Sequence, residues 1–329
     1  MKKSDQQKIS IIIPSKIFDH NLNQCVKKIR QFYKYIKIII VLDKKNYFIK
    51  DKNIKTIISG PKPIGQKRNL GVKYAKTFFI TFIDSDAYPD HQWLNSIIES
   101  FQKYKNKNVA VVGGPNLSPQ TNNVERKLVS RVRKLFFTTY NAEVKQKTNN
   151  VHYVSSLSSV NFTVKRKVYI KIGGMDNNLN VGEDMAFMRT LRKYNYKILF
   201  NGKSYVYHID RNIKHFFRQR FFYGTNSIIL FLKYPDNKSF LFLLSIFPFL
   251  YVLFLIPIIF AKFIYLKIYL FFLSGIILFC IINALRINFS SNFIKSLYVV
   301  GISIFGPGIG FVASLFLSSK MMRKLYTQS

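Results

Sequence analysis

The run "ITFIDSDAYPD", residues 80–90, leads mostly apolar, strand-like sequence straight into two carboxylates, Asp84 and Asp86, with one serine between them. Ionised carboxylates at the end of a buried strand are costly unless they are paired or bound to a metal. Spaced by one on a turn, both can face a single Mg2+ or Mn2+ and still leave positions for water and phosphate oxygens. The bland alternative is a turn whose acids cap the helix from residue 90 onward. A second acidic pair, Glu183-Asp184, opens the helical stretch "EDMAFMRTLRKYNYK". It serves either as negative charge complementing the helix dipole or as a general base at the edge of the same cleft. His208 closes "SYVYHID", where a lone histidine is as readily structural as a ligand. Arg218 and Arg220 in "HFFRQRFFYG" suit a phosphate, or the lipid headgroups beside a membrane segment.

The elements that would position these groups alternate. "KISIIIPS" (8–15), "IKIIIVLD" (36–43), "IKTIIS" (54–59), "FFITFIDSD" (78–86) and "VAVVGGP" (109–115) read as buried strands by length and β-branched content. Between them, "DHNLNQCVKKIRQFYKY", with Asp19 or Asn21 as cap, "GQKRNLGVKYAKT" and "DHQWLNSIIESFQKY" read as helices. Alternation of this kind predicts an α/β domain, a mostly parallel sheet with helices on both faces. Ligands of such sheets bind beyond the carboxyl ends of the strands. Asp43, Asp84, Asp86 and the Gly113-Gly114 turn all fall at those ends.

Composition limits the partners. Lys+Arg is 51 against Asp+Glu 15, a formal charge of +36, which suits an anionic partner. The basic residues are scattered, without an Arg-rich block or zinc-finger spacing, so nucleic acid is not expected. Cys25 and Cys280 lie far apart, which indicates neither a disulfide framework nor a cysteine metal site. "MKKSDQQKISIIIPS" reads as a lead-in to the first strand rather than a signal peptide.

After residue 239 the character changes. Three charge-free runs, about residues 240–261, 268–285 and 296–319, are bordered by Lys or Arg. Each has the length a helix needs to cross a hydrocarbon core of about 30 Å. The expected organisation is therefore a domain over 1–239 and a membrane part over 240–329. Pro248 and Pro257 in the first run make it a candidate broken or re-entrant helix, and the cations on every connection leave two or three full spans open. "GPGIG" (306–310) lies inside an apolar run, so helix packing by small residues, or a kink at Pro307, explains it better than a nucleotide loop.

The ordered set SIIIPS, IIIVLD, GQKRNLGVKYA, FIDSD, GGP, NFTVKR…GGMD, GEDMAFMRTLRKYNYKI and YVYH, over about residues 8–225, resembles the family 2 glycosyltransferases of GT-A fold. The resemblance implies a divalent cation on Asp86, with Asp84 nearer the nucleotide, holding the diphosphate of a nucleotide-sugar. It matches Asp43 to the acid that contacts the base or ribose, and Arg68 and Asn69 to the nucleotide side. Gly113, Gly114 and Asn161 fall on the acceptor side with Glu183, and Asp184 corresponds to the catalytic base. His208, Arg218 and Arg220 fall where the family places groups that bind the diphosphate, His208 also as a metal ligand. Two departures stand out. The second strand has one acid, Asp43, followed by two lysines, instead of the usual pair. The tail motif of processive members, Q-x-x-R-W, is replaced by "RQRFFYG", which favours transfer of a single sugar.

The implied reaction is a single displacement with inversion, from a nucleotide-sugar to a lipid-linked or membrane-associated acceptor, with the catalytic domain facing the cytoplasm. Lys67 or Lys62 would assist the departing diphosphate. A nucleotidyl- or phosphotransferase is the second enzyme reading, and the chain has no G-x-x-x-x-G-K-[ST] loop to support it. The non-enzyme rival is a membrane scaffold that retains a degenerate transferase domain.

Overall fold

The computed structural model describes residues 1–45, 49–135, 146–235, 237–260, 263–287, 292–317 and 319–328. Residue 261, at the end of the first apolar run, and residue 318, in the third, lie outside them. The chain divides into two compact units. The first comprises Met1–Pro119, Asn141–Ile209 and Arg323–Ser329, and the second Gln120–Tyr140 and Asp210–Met322.

Among the described residues of the first unit the strands are β1 (Ile9–Pro14), β2 (Lys37–Leu42), β3 (Ile54–Ile58), β4 (Phe79–Ile83), β5 (Ala87–Pro89), β6 (Val109–Gly113), β7 (Asn116–Leu117), β8 (Val151–Tyr153), β9 (Asn161–Lys165), β10 (Lys197–Asn201) and β11 (Val206–His208). Eight of them form one sheet in the order β3-β2-β1-β4-β9-β6-β10-β8. β1 pairs in parallel with β2 and β4, β2 with β3, and β6 with β10. β9 runs antiparallel between β4 and β6, and β8 antiparallel at the edge. The mostly parallel α/β sheet expected from the alternation is present, and the strand beginning at Asn161 is an antiparallel insertion near its centre.

Side-chain alternation divides the sheet between two cores. Ile9, Ile11, Ile13, Ile38 and Ile40 pack on one face with Leu22 and Ile29 of the His20–Phe32 helix and with Trp93 and Ile97 of the Trp93–Lys103 helix. Ile12, Ile39 and Val41 pack on the other with Val72 of the Ile64–Tyr74 helix and with Phe187, Met188 and Leu191 of the Glu183–Lys193 helix. Asp19 caps the first of these helices, accepting from the Leu22 N–H at 2.9 Å. A small sheet, β5-β11-β7, stands apart from the main one.

The second unit is helical. The Ile213–Lys233 helix packs along the Phe293–Phe316 helix through glycines. A Cβ at Gly224 would collide with the Pro307 carbonyl, one at Gly310 with the Phe221 carbonyl, and one at Gly306 would lie 2.9 Å from Arg220 Cβ. "GPGIG" is thus a close-approach surface, and the helix continues through Pro307. Two described helices are long and apolar enough to cross a membrane, Phe263–Ile287 and Phe293–Phe316, with mean hydropathies of 2.5 and 2.0. The first apolar run is broken into Asn237–Leu244, Phe247–Leu253 and Leu255–Ile258, with Pro248 at the start of the second piece and Pro257 within the third.

Candidate active site

β4 ends at Ile83, and the turn that follows carries Asp84 and Asp86. Neither acid caps the Trp93–Lys103 helix, whose N-cap residue, Gln92, makes no side-chain cap. Instead, the small sheet closes a ligand set across a long stretch of chain. β11 pairs antiparallel with β5 so that His208 stands opposite Ala87, and the Ile209 N–H donates to the Asp86 carbonyl at 3.0 Å. His208 Nε2 thereby lies 3.1 Å from Asp86 Oδ1. One ligand atom from each of Asp84, Asp86 and His208 lies within 4.8 Å of the others. His208 is buried, whereas the Asp86 side chain is 33% exposed, so the cluster opens to solvent on the Asp86 side. Two carboxylate oxygens and an imidazole nitrogen fit a divalent cation.

Behind the cluster sits Arg68, 1% exposed, on the Ile64–Tyr74 helix. Its Nη2 donates to Asp84 Oδ1 at 2.6 Å and its Nη1 to Glu183 Oε1 at 2.7 Å. One guanidinium therefore ties the first aspartate of the β4 turn to the first acid of the Glu183–Lys193 helix. Burial acts to lower the basicity of Arg68, but the carboxylates of Asp84, Glu183 and Asp184 outweigh it and raise its pKa. Burial, and next the charge of Asp184, push Glu183 up to about 7 against the pull of Arg68.

Asp184 is held at both oxygens. Oδ2 accepts from the Ser159 N–H at 3.1 Å and from its hydroxyl at 3.4 Å, and Oδ1 accepts from the Met185 N–H at 2.8 Å. An oriented, half-buried carboxylate of this kind is suited to receive a proton from a substrate hydroxyl. Asp43, beyond the end of β2, is paired with Lys67 at 2.5 Å. Lys67 Nζ also donates to the Ser15 carbonyl at 2.7 Å, and burial lowers its pKa despite Asp43. Lys67 thus holds the ends of β1 and β2 together, while Lys62 is exposed.

Other residues from the sequence reading are engaged within the fold. Asn69 donates to the Met175 carbonyl at 2.7 Å and accepts from the Met175 N–H at 3.0 Å, pinning the Gly173-Gly174 turn. Gly174 has φ +73°, and a Cβ there would meet Asn69 Oδ1 at 2.7 Å. Asn161 accepts from the Trp93 indole at 2.7 Å and donates to the carbonyls of Pro115 and Ser204 at 3.0 and 2.7 Å. Gly113 admits the Asn161 carbonyl where a Cβ would stand, and Gly114 that of Ser204. Arg218 and Arg220 belong to the second unit, where Arg220 Nη2 donates to the Ser303 carbonyl at 3.0 Å.

Sequence reasoning did not find the clamp on Asp184 by Ser159, the pairing of Lys67 with Asp43, or Cys25 behind the β4 turn, whose thiol lies 3.8 Å from the Asp84 carbonyl. Burial, followed by the charges of Asp86 and Asp84, raises the pKa of that thiol. The double bridge of Arg68 had one signal, an arginine on an apolar helix face in a chain poor in acids.

The sequence profile described as glycosyl transferase family group 2 matches residues 79–289, well over half of the chain. Two curated proteins from Mycobacterium tuberculosis strains CDC 1551 / Oshkosh and ATCC 25618 / H37Rv, both named pre-mycofactocin glycosyltransferase, are 23% identical over 178 residues. That alignment covers 52% of this chain and 36% of theirs, so the chain spans about a third of the length of these relatives. Among solved structures, GalNAc-T7 with UDP, GalNAc and Mn2+ has a TM-score of 0.48 at 15% identity, over 67% of this chain and 50% of that one. S. aureus TarS 1–349 in complex with UDP-GlcNAc has a TM-score of 0.45 at 14% identity, over 68% and 67%.

Proposed function

The chain belongs to glycosyl transferase family group 2, and from that premise we propose that it transfers a single sugar, with inversion, from a nucleotide-diphospho-sugar to a hydroxyl of a lipid-linked or membrane-associated acceptor. The observation that carries the reading is the convergence of Asp84, Asp86 and His208, joined through Arg68 to Glu183, the residue before the oriented carboxylate of Asp184. Asp84, Asp86 and His208 would hold a Mg2+ or Mn2+. When bound, such a cation neutralises charge on the diphosphate leaving group.

The residues of the chain supply the rest. Asp184 accepts the proton of the acceptor hydroxyl, whose oxygen attacks the anomeric carbon as the bond to the diphosphate breaks on the opposite face. The two bonds from Ser159 and the one from the Met185 N–H fix the carboxylate for that transfer. Arg68 keeps Asp84 and the Glu183-Asp184 segment in register, so the donor and acceptor sides share one support. Asp43, paired with Lys67, takes the ribose or base in this reading. The two long apolar helices favour an acceptor in the bilayer. Because nucleotide-sugars are cytosolic, a catalytic unit facing the cytoplasm follows.

The test is turnover of a panel of UDP-, GDP- and dTDP-sugars by detergent-purified protein with Mn2+ or Mg2+ and extracted membrane lipid. Metal-dependent consumption of one donor, abolished in Asp86→Ala and Asp184→Asn, is expected. If no donor turns over, or if either variant matches wild type, the reading falls and the scaffold alternative leads.

A further inference from the structure

The Val124–Arg133 helix is separated by much polar sequence from the apolar runs, yet it folds with them. Leu128, Val129 and Val132 are buried in one cluster with Cys280, Ala284 and Ile287 of one candidate span and Val299, Val300, Ile302 and Ile304 of the other. Its remaining groups fix it in place. Asn123 caps its N-terminus, accepting from the Arg126 N–H at 3.1 Å. Glu125 accepts from the Ile213 N–H at 3.1 Å and so caps the next helix. Arg133 pairs with Asp210 at 2.6 Å.

The outward stripe is basic. Lys127, Arg131 and Lys134 are exposed and spaced at i, i+4 and i+7, on the side away from the buried residues. Arg131 Nη1 also donates at 2.6 Å to the Ile287 carbonyl, the last of the Phe263–Ile287 helix. The final carbonyls of a helix lack partners within it, and a cation there is favourable. Arg286, just before that end, and Lys295, in the first turn of the Phe293–Phe316 helix, are exposed as well. Cations from three helices thus gather where two long apolar helices meet polar sequence.

We propose that the Val124–Arg133 helix is an in-plane interfacial helix whose Lys127–Arg131–Lys134 stripe binds the phosphate headgroups of anionic phospholipids. This rests on the reading that the two long apolar helices span the bilayer. Charge complementarity decides the occupant. An apolar face seated on membrane helices places the opposite stripe at headgroup depth, and basic residues at that depth attract anionic lipid.

The experiment uses full-length protein reconstituted in nanodiscs of equal phosphatidylglycerol and phosphatidylcholine, released into native mass spectrometry so that retained lipids are counted. Wild type is expected to retain phosphatidylglycerol in preference. Lys127→Gln/Lys134→Gln, which leaves the Arg131 bond intact, loses about fivefold of that preference for each lysine. Added inorganic phosphate does not compete. No preference in wild type, an unchanged preference in the double variant, or displacement by free phosphate would each overturn the proposal. Alkaline carbonate extraction tests the spanning helices separately: both proteins stay in the pellet if those helices span, whatever the lysines bind.

Discussion

Arg68 and Arg220 are both buried, 1% and 6% exposed, each on a helix packed within its own unit, yet they are held in different ways. Arg68 lies between two carboxylates, Asp84 and Glu183, that belong to segments far apart in sequence. Arg220 donates to the backbone carbonyl of Ser303 and lies 5.6 Å from the centre of the Tyr223 ring. Around Arg68 burial of charge is answered by opposite charge, and the resulting network joins the Asp84 turn to the start of the Glu183–Lys193 helix. Arg220 meets a carbonyl dipole and an aromatic face against a glycine, Gly306, in a helix pair set by close approach, while Arg133 of the same unit pairs with the buried Asp210. The first arrangement ties together segments distant in sequence, and the second lies where two helices approach closely.

Substitution of the two arginines sharpens the contrast. Arg68→Met leaves Asp84 and Glu183 without their shared partner, and breaking a buried pair in this way costs about 3–5 kcal/mol. The expected result is a lower midpoint in thermal unfolding of the purified protein, together with loss of activity. Arg220→Met removes a donor from one buried carbonyl, a cost of about 1–3 kcal/mol. An equal or larger loss at Arg220 would break the distinction between the two arginines.

The acids offer a smaller and more specific test. Glu183 is raised to about 7 in the folded protein from an ordinary 4.5. A group raised on folding contributes stability that is full below its unfolded value and is lost as pH climbs through the folded one. Wild type should therefore lose stability between about pH 4.5 and 7, and Glu183→Gln should flatten that part of the profile. Parallel profiles for the two proteins would show that Glu183 titrates as an ordinary surface acid.

Much of this arrangement could be read from the residues in order. The β-branched runs ending in Asp43 and Asp84, and the 3.6-residue stripe of the Glu183–Lys193 helix, mark local structure because period and composition are local signals. What pairs with what is not local. Nothing around Asn161 indicates that its strand would lie antiparallel between β4 and β6, or that its amide would bind the Trp93 indole and two carbonyls. Gly113 and Gly114 read as a turn at a strand end, and nothing local shows that they admit backbone from Asn161 and Ser204. His208 becomes a partner of Asp86 only through the short β5–β11 pairing, too brief to leave a hydrophobic pattern. Similarly, the composition change at residue 239 hides the membership of Val124–Arg133 in the helical unit, because that helix is polar on its outward face.

The central claim, that Asp84, Asp86 and His208 form a cation site serving a nucleoside diphosphate, is tested most directly by Mn2+ binding. Electron paramagnetic resonance of free Mn2+, titrated with purified protein in the presence and absence of UDP, GDP or dTDP, reads it without turnover. The account predicts that one nucleotide strengthens Mn2+ binding to wild type, and that Asp86→Ala abolishes the effect while Lys127→Gln preserves it. Nucleotide binding that is indifferent to Mn2+, or Mn2+ binding unchanged in Asp86→Ala, would contradict it.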